Sequence, residues 1–351
     1  FGAAKKVEGE VVFNTGMVGY TESITDPSYN GQILMQTYPL IGNYGVSPDH
    51  FESNGPKIEG YIVREVCRSP NHWSSRWTLD EFLEMHGIPG IERVDTRALT
   101  KKIRTEGVML GILEVYFKGE EPSPGELKRE AQSMRDPSQR DLVGEVCARE
   151  IRRHPGREDC QVVLIDCGVK NSILRNLTSR GATVIQVPPT TSSDQIAKLK
   201  PDGVVVSNGP GDPKRVKDVI RTIKSLIELR VPLFGICLGV QILALALGGD
   251  TFKLKFGHRG QNHPCLELRT GRCYISSQNH GYAIDPDSLF ETGLEVTYVN
   301  ANDRTVEAIE HRELPVFATQ WHPEASPGPN DTNFMFDRFM AMMKDAKNAL
   351  R

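Results

Sequence analysis

The chain has 351 residues, 38% of them hydrophobic and 25% charged, with a formal net charge of -3. That length suits two domains with a core each, and the near-neutral balance gives no reason to expect nucleic acid or an anionic membrane as a partner. No apolar run is long enough to span a bilayer, and nothing at the start resembles a secretion signal.

Seven cysteines, at positions 67, 147, 160, 167, 237, 265 and 273, form no C-x-x-C pair. An odd, scattered set argues against a disulfide framework and predicts thiols in a reducing cytoplasm. Cys265 and Cys273 lack the spacing of zinc ligands, and so do His258 and His263, so no metal site is expected.

In the first part of the chain, strands are predicted at Glu10–Phe13, Gly60–Val66 and Val108–Val115, separated by turn-rich pieces such as TDPSYNGQ and SPNHWSS. TLDEFLEMHG has a Thr78 cap, a Glu three residues on and a stop at Gly87, which predicts a helix. A second helix is predicted after Asp95. The polar stretch KGEEPSPGE leads into a charged helical segment, and REIRRHPGRED, 149–159, reads as a linker. The predicted division is 1–118 as an N-terminal mixed α/β domain, 119–159 as linker and helical connection, and 160–351 as a second domain.

From Cys160 the pattern changes to alternating strands and helices. QVVLIDCG, ATVIQVP, DGVVVSNGPGDP and VPLFGI read as strands, with NSILRNLTSRG, SSDQIAKLK and VIRTIKSLIELR as helices between them. Short connections in this rhythm predict an α/β fold, a doubly wound and mostly parallel sheet with helices on both faces. Ligands gather beyond the carboxyl ends of such strands, where SNGPGDP and Cys237 lie. The tail adds strands, then a helix from about Thr332 to Ala349.

Cys237 sits in G-I-C-L-G, between a strand and a helix starting at Leu238. This is the cysteine counterpart of the turn that lifts a serine above an α/β sheet. Gly235 and Gly239 let strand and helix approach closely, and the helix N-terminus favours thiolate over thiol. The Leu238 amide is a natural donor to an oxyanion. A nucleophilic cysteine also needs a base with an orienting partner. QWHPEASPGP supplies His322 and Glu324 at another strand end, two residues apart and predicted to project to one side. Residue chemistry alone leaves open a glutaminase, a hydrolase of another amide or γ-glutamyl substrate, and a non-catalytic regulatory chain.

These residues resemble the class I (triad) glutamine amidotransferases. SNGPGDP (207–213), FGICLGVQ (234–241), KFGHRGQNHP (255–264), SQNHGYAI (277–284) and HPEASPGP (322–329) are similar to the small, glutaminase subunits of carbamoyl-phosphate synthetases. GEVVFNTGMVGYTESITDPSYNGQILMQTYPLIGNYG (9–45) and GIPGIERVDTRALTKKIRTEG (87–107) resemble the separate N-terminal domain of that family.

The resemblance implies that Cys237 attacks the glutamine side-chain amide, His322 shuttles the proton and Glu324 orients the histidine. It implies an oxyanion hole from the amides of Gly209 and Leu238, and glutamine contacts from Ser28, Gly211, Gln241, Asn279, Gly281 and Tyr282. Val240 and Tyr282 are mild departures from the family pattern, and Trp321 is expected at the pocket rim. HRGQNHP reads as a structured loop near the site, with His280 supporting the glutamine pocket. No phosphate loop of the G-x-x-x-x-G-K-[ST] type is present. The resemblance therefore implies no cofactor in this chain, with ATP and a divalent metal on a much larger synthetase subunit that receives the ammonia. It implies a heterodimer with that subunit, higher oligomers being left open.

Overall fold

The computed structural model describes residues 1–117, 119, 121–157 and 160–349. Residues 118, 159 and 351, at which domain or linker boundaries are predicted, lie outside the described residues. The chain divides into two units, Phe1–Leu142 and Val143–Arg351.

The N-terminal unit is built on a five-stranded sheet in the order Gly90–Ile91, Gly60–Ile62, Gln32–Gln36, Lys6–Asn14, Met109–Glu114. Its first four strands run parallel and the last is antiparallel to its neighbour. Helix Leu79–Met85 starts in a complete capping box of Thr78 and Glu81, which satisfies two otherwise orphaned amides. It buries Leu79, Phe82 and Leu83 among Tyr20, Ile24, Leu34 and Tyr61. Helix Thr96–Glu106 is capped by the Asp95 side chain and ends at Gly107, whose φ of 100° suits glycine.

The C-terminal unit carries a ten-stranded sheet. Its parallel half runs Val316–Thr319, Leu233–Ile236, Gly203–Val206, Gln161–Ile165, Thr183–Val187. Successive side chains of a strand face opposite ways, and both faces are used. Val163, Ile165, Val204 and Val206 meet Ile196, Ile223, Leu226 and Leu243 on one face. Val162, Leu164, Val205, Phe234 and Phe317 meet Ile173, Leu177, Phe336 and Phe339 on the other. This is the doubly wound α/β architecture that the sequence predicts.

Two segments differ from expectation. Arg152–His154, inside the stretch read as a linker, is an edge strand antiparallel to Thr183–Val187. HRGQNHP, read as a loop, belongs to the 17-residue strand Thr251–Glu267. That strand pairs with Cys273–Ile284 across two register shifts, and with Leu294–Asn300 and then Val306–His311 it extends the sheet antiparallel. The shifts break the period-2 alternation that would have revealed it. Among the described residues no helix is long and apolar enough to cross a membrane.

Candidate active site

Cys237 stands between strand Leu233–Ile236 and helix Leu238–Ala246, with φ 54° and ψ -103°. A left-handed φ is costly for a residue with a Cβ, and such strain persists where the surroundings over-determine it. Here the surroundings are tight. A Cβ on Gly235 would lie 2.7 Å from the Gly239 carbonyl oxygen, and one on Gly239 would lie 2.3 Å from the Val206 carbonyl oxygen. The glycines are needed for close approach, and the strained residue is the cysteine itself. The Cys237 amide donates to the Thr319 carbonyl at 2.8 Å, which locks the turn to the neighbouring parallel strand.

His322 and Glu324 follow the strand Val316–Thr319, in a turn and not in the extended chain expected from sequence. The turn still brings them together, with His322 Nδ1 donating to Glu324 Oε1 at 2.6 Å. Lys170 Nζ lies 2.9 Å from the same oxygen. A carboxylate can only accept, so Nδ1 carries a proton toward Glu324 and Nε2 is the atom at which the ring takes up and gives back its second proton. Burial by itself would lower the His322 pKa. The Glu324 charge first, then the Cys237 sulfur by charge and as a hydrogen-bond partner, outweigh burial and raise it. Since Nδ1 is taken by Glu324, the sulfur acts on the Nε2 side, and Nε2 is buried with no hydrogen-bond partner among the described residues. Burial would raise the Glu324 pKa, and His322 and Lys170 hold it well below the usual carboxylate range.

Cys237, His322 and Glu324 are all buried. Gly209, Gly211, Gly281 and Tyr282 are half-buried. Gly209 packs against Leu238, since a Cβ there would lie 2.8 Å from Leu238 Cδ2 and 2.1 Å from the Cys167 carbonyl oxygen. Gly211 has a φ of 85°. The two amides expected to hold an oxyanion thus belong to adjoining residues, and Leu238 opens a helix whose first amides have no intrahelical partner. The thiol points at the Asn279 carbonyl oxygen, 3.5 Å away.

Gln241 is enclosed and donates to the Tyr282 carbonyl at 2.8 Å and to Gln320 Oε1 at 3.0 Å. It ties the helix behind Cys237 to the strand that carries Asn279, Gly281 and Tyr282. Ser28 belongs to the N-terminal unit, where it is buried in the short helix Pro27–Tyr29 and its amide donates to Asp26 Oδ1 at 2.9 Å. Trp321, expected at the rim, is instead fully buried and packs edge-on against Tyr298 with ring centroids 5.1 Å apart. The indole belongs to the core cluster with Phe234, Phe317 and Phe336.

Two residues at the site escape sequence reasoning. Lys170 follows the strand Gln161–Ile165, the same strand-end position that draws attention to Cys237, so its location was the available signal. Gln320 Nε2 lies 3.8 Å from Cys237 Sγ, one residue past the strand Val316–Thr319, with nothing in its neighbourhood to mark it.

Comparison with known proteins decides the family. Residues 163–342 match the family of class-I glutamine amidotransferases, and residues 1–113 match the carbamoyl-phosphate synthase small chain, CPSase domain. The carbamoyl phosphate synthase small chain of Methanopyrus kandleri is 54% identical over 98% of this chain and 95% of its own length. That of Listeria monocytogenes is 53% identical over 97% and 92%, and the pyrimidine-specific small chain of Bacillus subtilis is 49% identical over 98% and 92%. The chain belongs to the carbamoyl phosphate synthase small-chain family. It spans almost the whole length of these relatives, and the Cys237 turn and the His322–Glu324 pair both fall inside its amidotransferase region.

Proposed function

We propose that this chain is the glutaminase subunit of a carbamoyl phosphate synthase, cleaving glutamine to glutamate and ammonia at Cys237. The observation that carries the reading is a strained cysteine at a strand-to-helix corner beside a histidine whose other nitrogen is held by a buried carboxylate. The thiol gives its proton to His322 Nε2 while sulfur bonds to the amide carbon of the glutamine side chain. The amides of Gly209 and Leu238 receive the oxyanion. As the carbonyl re-forms, the carbon–nitrogen bond breaks and His322 returns the proton to the leaving nitrogen, releasing ammonia and a glutamyl thioester. Water, deprotonated by His322, then attacks the thioester and frees glutamate and the thiol. Asn279, Gly281, Tyr282 and Gly211 line the substrate side, and Gln241 positions Tyr282.

Ammonia released into water is protonated and lost as a nucleophile, so its acceptor must be delivered close by. The acceptor chemistry belongs to a large ATP-using synthetase chain, which also holds the ATP and divalent metal, and the two chains act as a complex inside the cytoplasm. Glutamate release from the purified chain, with and without the large chain, tests both parts. Cys237→Ala is expected to lower glutamate release by about 10⁴-fold or more. Equal release by wild type and this variant would overturn the reading.

A further inference from the structure

His258 and His280 face each other directly across the antiparallel pair Thr251–Glu267 and Cys273–Ile284. Their rings are 4.9 Å apart and nearly perpendicular. Each ring spends one nitrogen on a fixed partner. His258 Nε2 donates to Asp303 Oδ2 at 2.8 Å, and His280 Nδ1 donates to the Tyr282 carbonyl at 2.7 Å. Both acceptors can only accept, so the protons sit on those atoms and the lone pairs sit on His258 Nδ1 and His280 Nε2. Both of these nitrogens are buried, with no hydrogen-bond partner among the described residues.

Glu307, on strand Val306–His311, completes the cluster. Its Oε1 lies 3.9 Å from His258 Nδ1, and the Glu307 side chain is wholly buried. Gln278 Nε2 donates to Oε2 at 2.7 Å, Asn300 Nδ2 to Oε1 at 2.8 Å, and the Cys265 thiol is a third partner of this carboxyl, which leaves the group one acceptor position. The three ligand atoms lie within 4.8 Å of one another.

We propose that His258, His280 and Glu307 form a binding site for one divalent transition-metal ion of the zinc class. Two imidazole nitrogens and one carboxylate are a borderline-hard set that suits zinc and its first-row neighbours, with a remaining position for water. Bonds of about 2.1 Å at tetrahedral angles put ligands about 3.4 Å apart, so the cluster closes by a shift of about 1.4 Å at most. The outer partners are those of a metal centre. Each histidine donates its distal N–H to a carboxylate or a backbone carbonyl, and the carboxylate is oriented by two amides. The Arg259 guanidinium opposes a cation near His280, and the Asp303 and Glu307 carboxylates beside His258 favour one. Two buried, unpartnered nitrogens cost stability when left alone, and an ion between them removes that cost.

The ion ties three strands of the antiparallel half together behind Asn279 and Tyr282, so its role is to hold that wall of the site. Sequence spacing hides the set, because only cross-strand pairing brings His258 opposite His280 and only the sheet order brings Glu307 near.

The untagged full-length chain, stripped with a chelator, is titrated with Zn²⁺ and separately with Co²⁺. The expected result is one equivalent bound, visible Co²⁺ absorption bands of a low-coordinate site, and a melting temperature raised by about 5 °C at hundredfold excess over Kd. His258→Asn abolishes the bands. Asp303→Asn, at an exposed carboxylate where folding is not at risk, weakens binding about 10- to 100-fold. Cys237→Ala leaves binding unchanged, which separates this site from the thiol and from the glutaminase reading. Absence of stoichiometric binding, or binding equal in wild type, His258→Asn and Asp303→Asn, would overturn the proposal.

Discussion

Glu324 and Glu307 are both enclosed carboxylates of the C-terminal unit, one at the end of strand Val316–Thr319 and one on the adjacent strand Val306–His311. Burial pushes both proton affinities up. At Glu324 the cations His322 and Lys170 reverse that push and hold the carboxyl well below its ordinary range. At Glu307 burial prevails over the side-chain donors around it, Gln278 first, and the carboxyl stays raised. Depth in the protein is the same, so the partners decide. At the catalytic corner they fix a permanent negative charge behind an imidazole, and in the antiparallel half they leave a carboxyl with one acceptor position to spare.

The sharpest way to break this contrast is to make Glu324 neutral. Glu324→Gln removes the largest of the influences that raise the His322 pKa and leaves only the Cys237 sulfur to oppose burial. Glutamine turnover should fall by about 10²- to 10⁴-fold with the histidine held less firmly in its tautomer. The His322 titration, followed by NMR on labelled imidazole, should move to lower pH. An unchanged titration would mean that Glu324 is not what charges the ring.

Lys170→Met sharpens the same point from the other side. Lys170 and Glu324 are both buried, 2.9 Å apart, and removing one partner of a buried pair costs about 3–5 kcal/mol. At about 2–4 °C per kcal/mol, the melting temperature should drop by roughly 6–20 °C. The sign of the pH effect follows from the lowered Glu324 pKa. That carboxylate contributes stability above the ordinary value of 4.5 and loses it as pH falls through its folded value. Without Lys170 the folded value rises, so acid unfolding should begin at higher pH in the variant than in wild type. A thermal melt series from pH 7 to 3 checks both.

A smaller effect belongs to the turn. Gly239→Ala places a Cβ 2.3 Å from the Val206 carbonyl oxygen, and the shift this forces should cost about 1–3 kcal/mol by urea titration. Activity should fall more than stability implies, because the Leu238 amide moves with the helix. Wild-type stability in this variant would show that strand and helix have slack at the corner.

The parallel half of the second sheet was legible in sequence because each strand is short, apolar and followed by a helix with its own period. The G-I-C-L-G corner was legible for the same reason, since close strand–helix approach demands those glycines in fixed places. His322 and Glu324 were found through a two-residue spacing, although the chain there is a turn. Lys170 offers only its place beyond a strand end as a signal, because its ion-pair partner Glu324 lies beyond a different strand, far away in sequence. The strand Thr251–Glu267 was read partly as a loop because its register shifts interrupt the alternation of inward and outward residues. Trp321 was assigned to the rim from its position beside the histidine, whereas its side chain points into the core.

The most direct measurement follows carbon-labelled glutamine onto the protein. The wild-type chain is mixed with labelled glutamine, quenched in acid within one turnover and digested. The peptide holding Cys237 should carry one labelled glutamyl group as a thioester, released by hydroxylamine and absent from Cys237→Ser. Labelled glutamate appearing while that peptide never carries label would contradict nucleophilic attack by this sulfur.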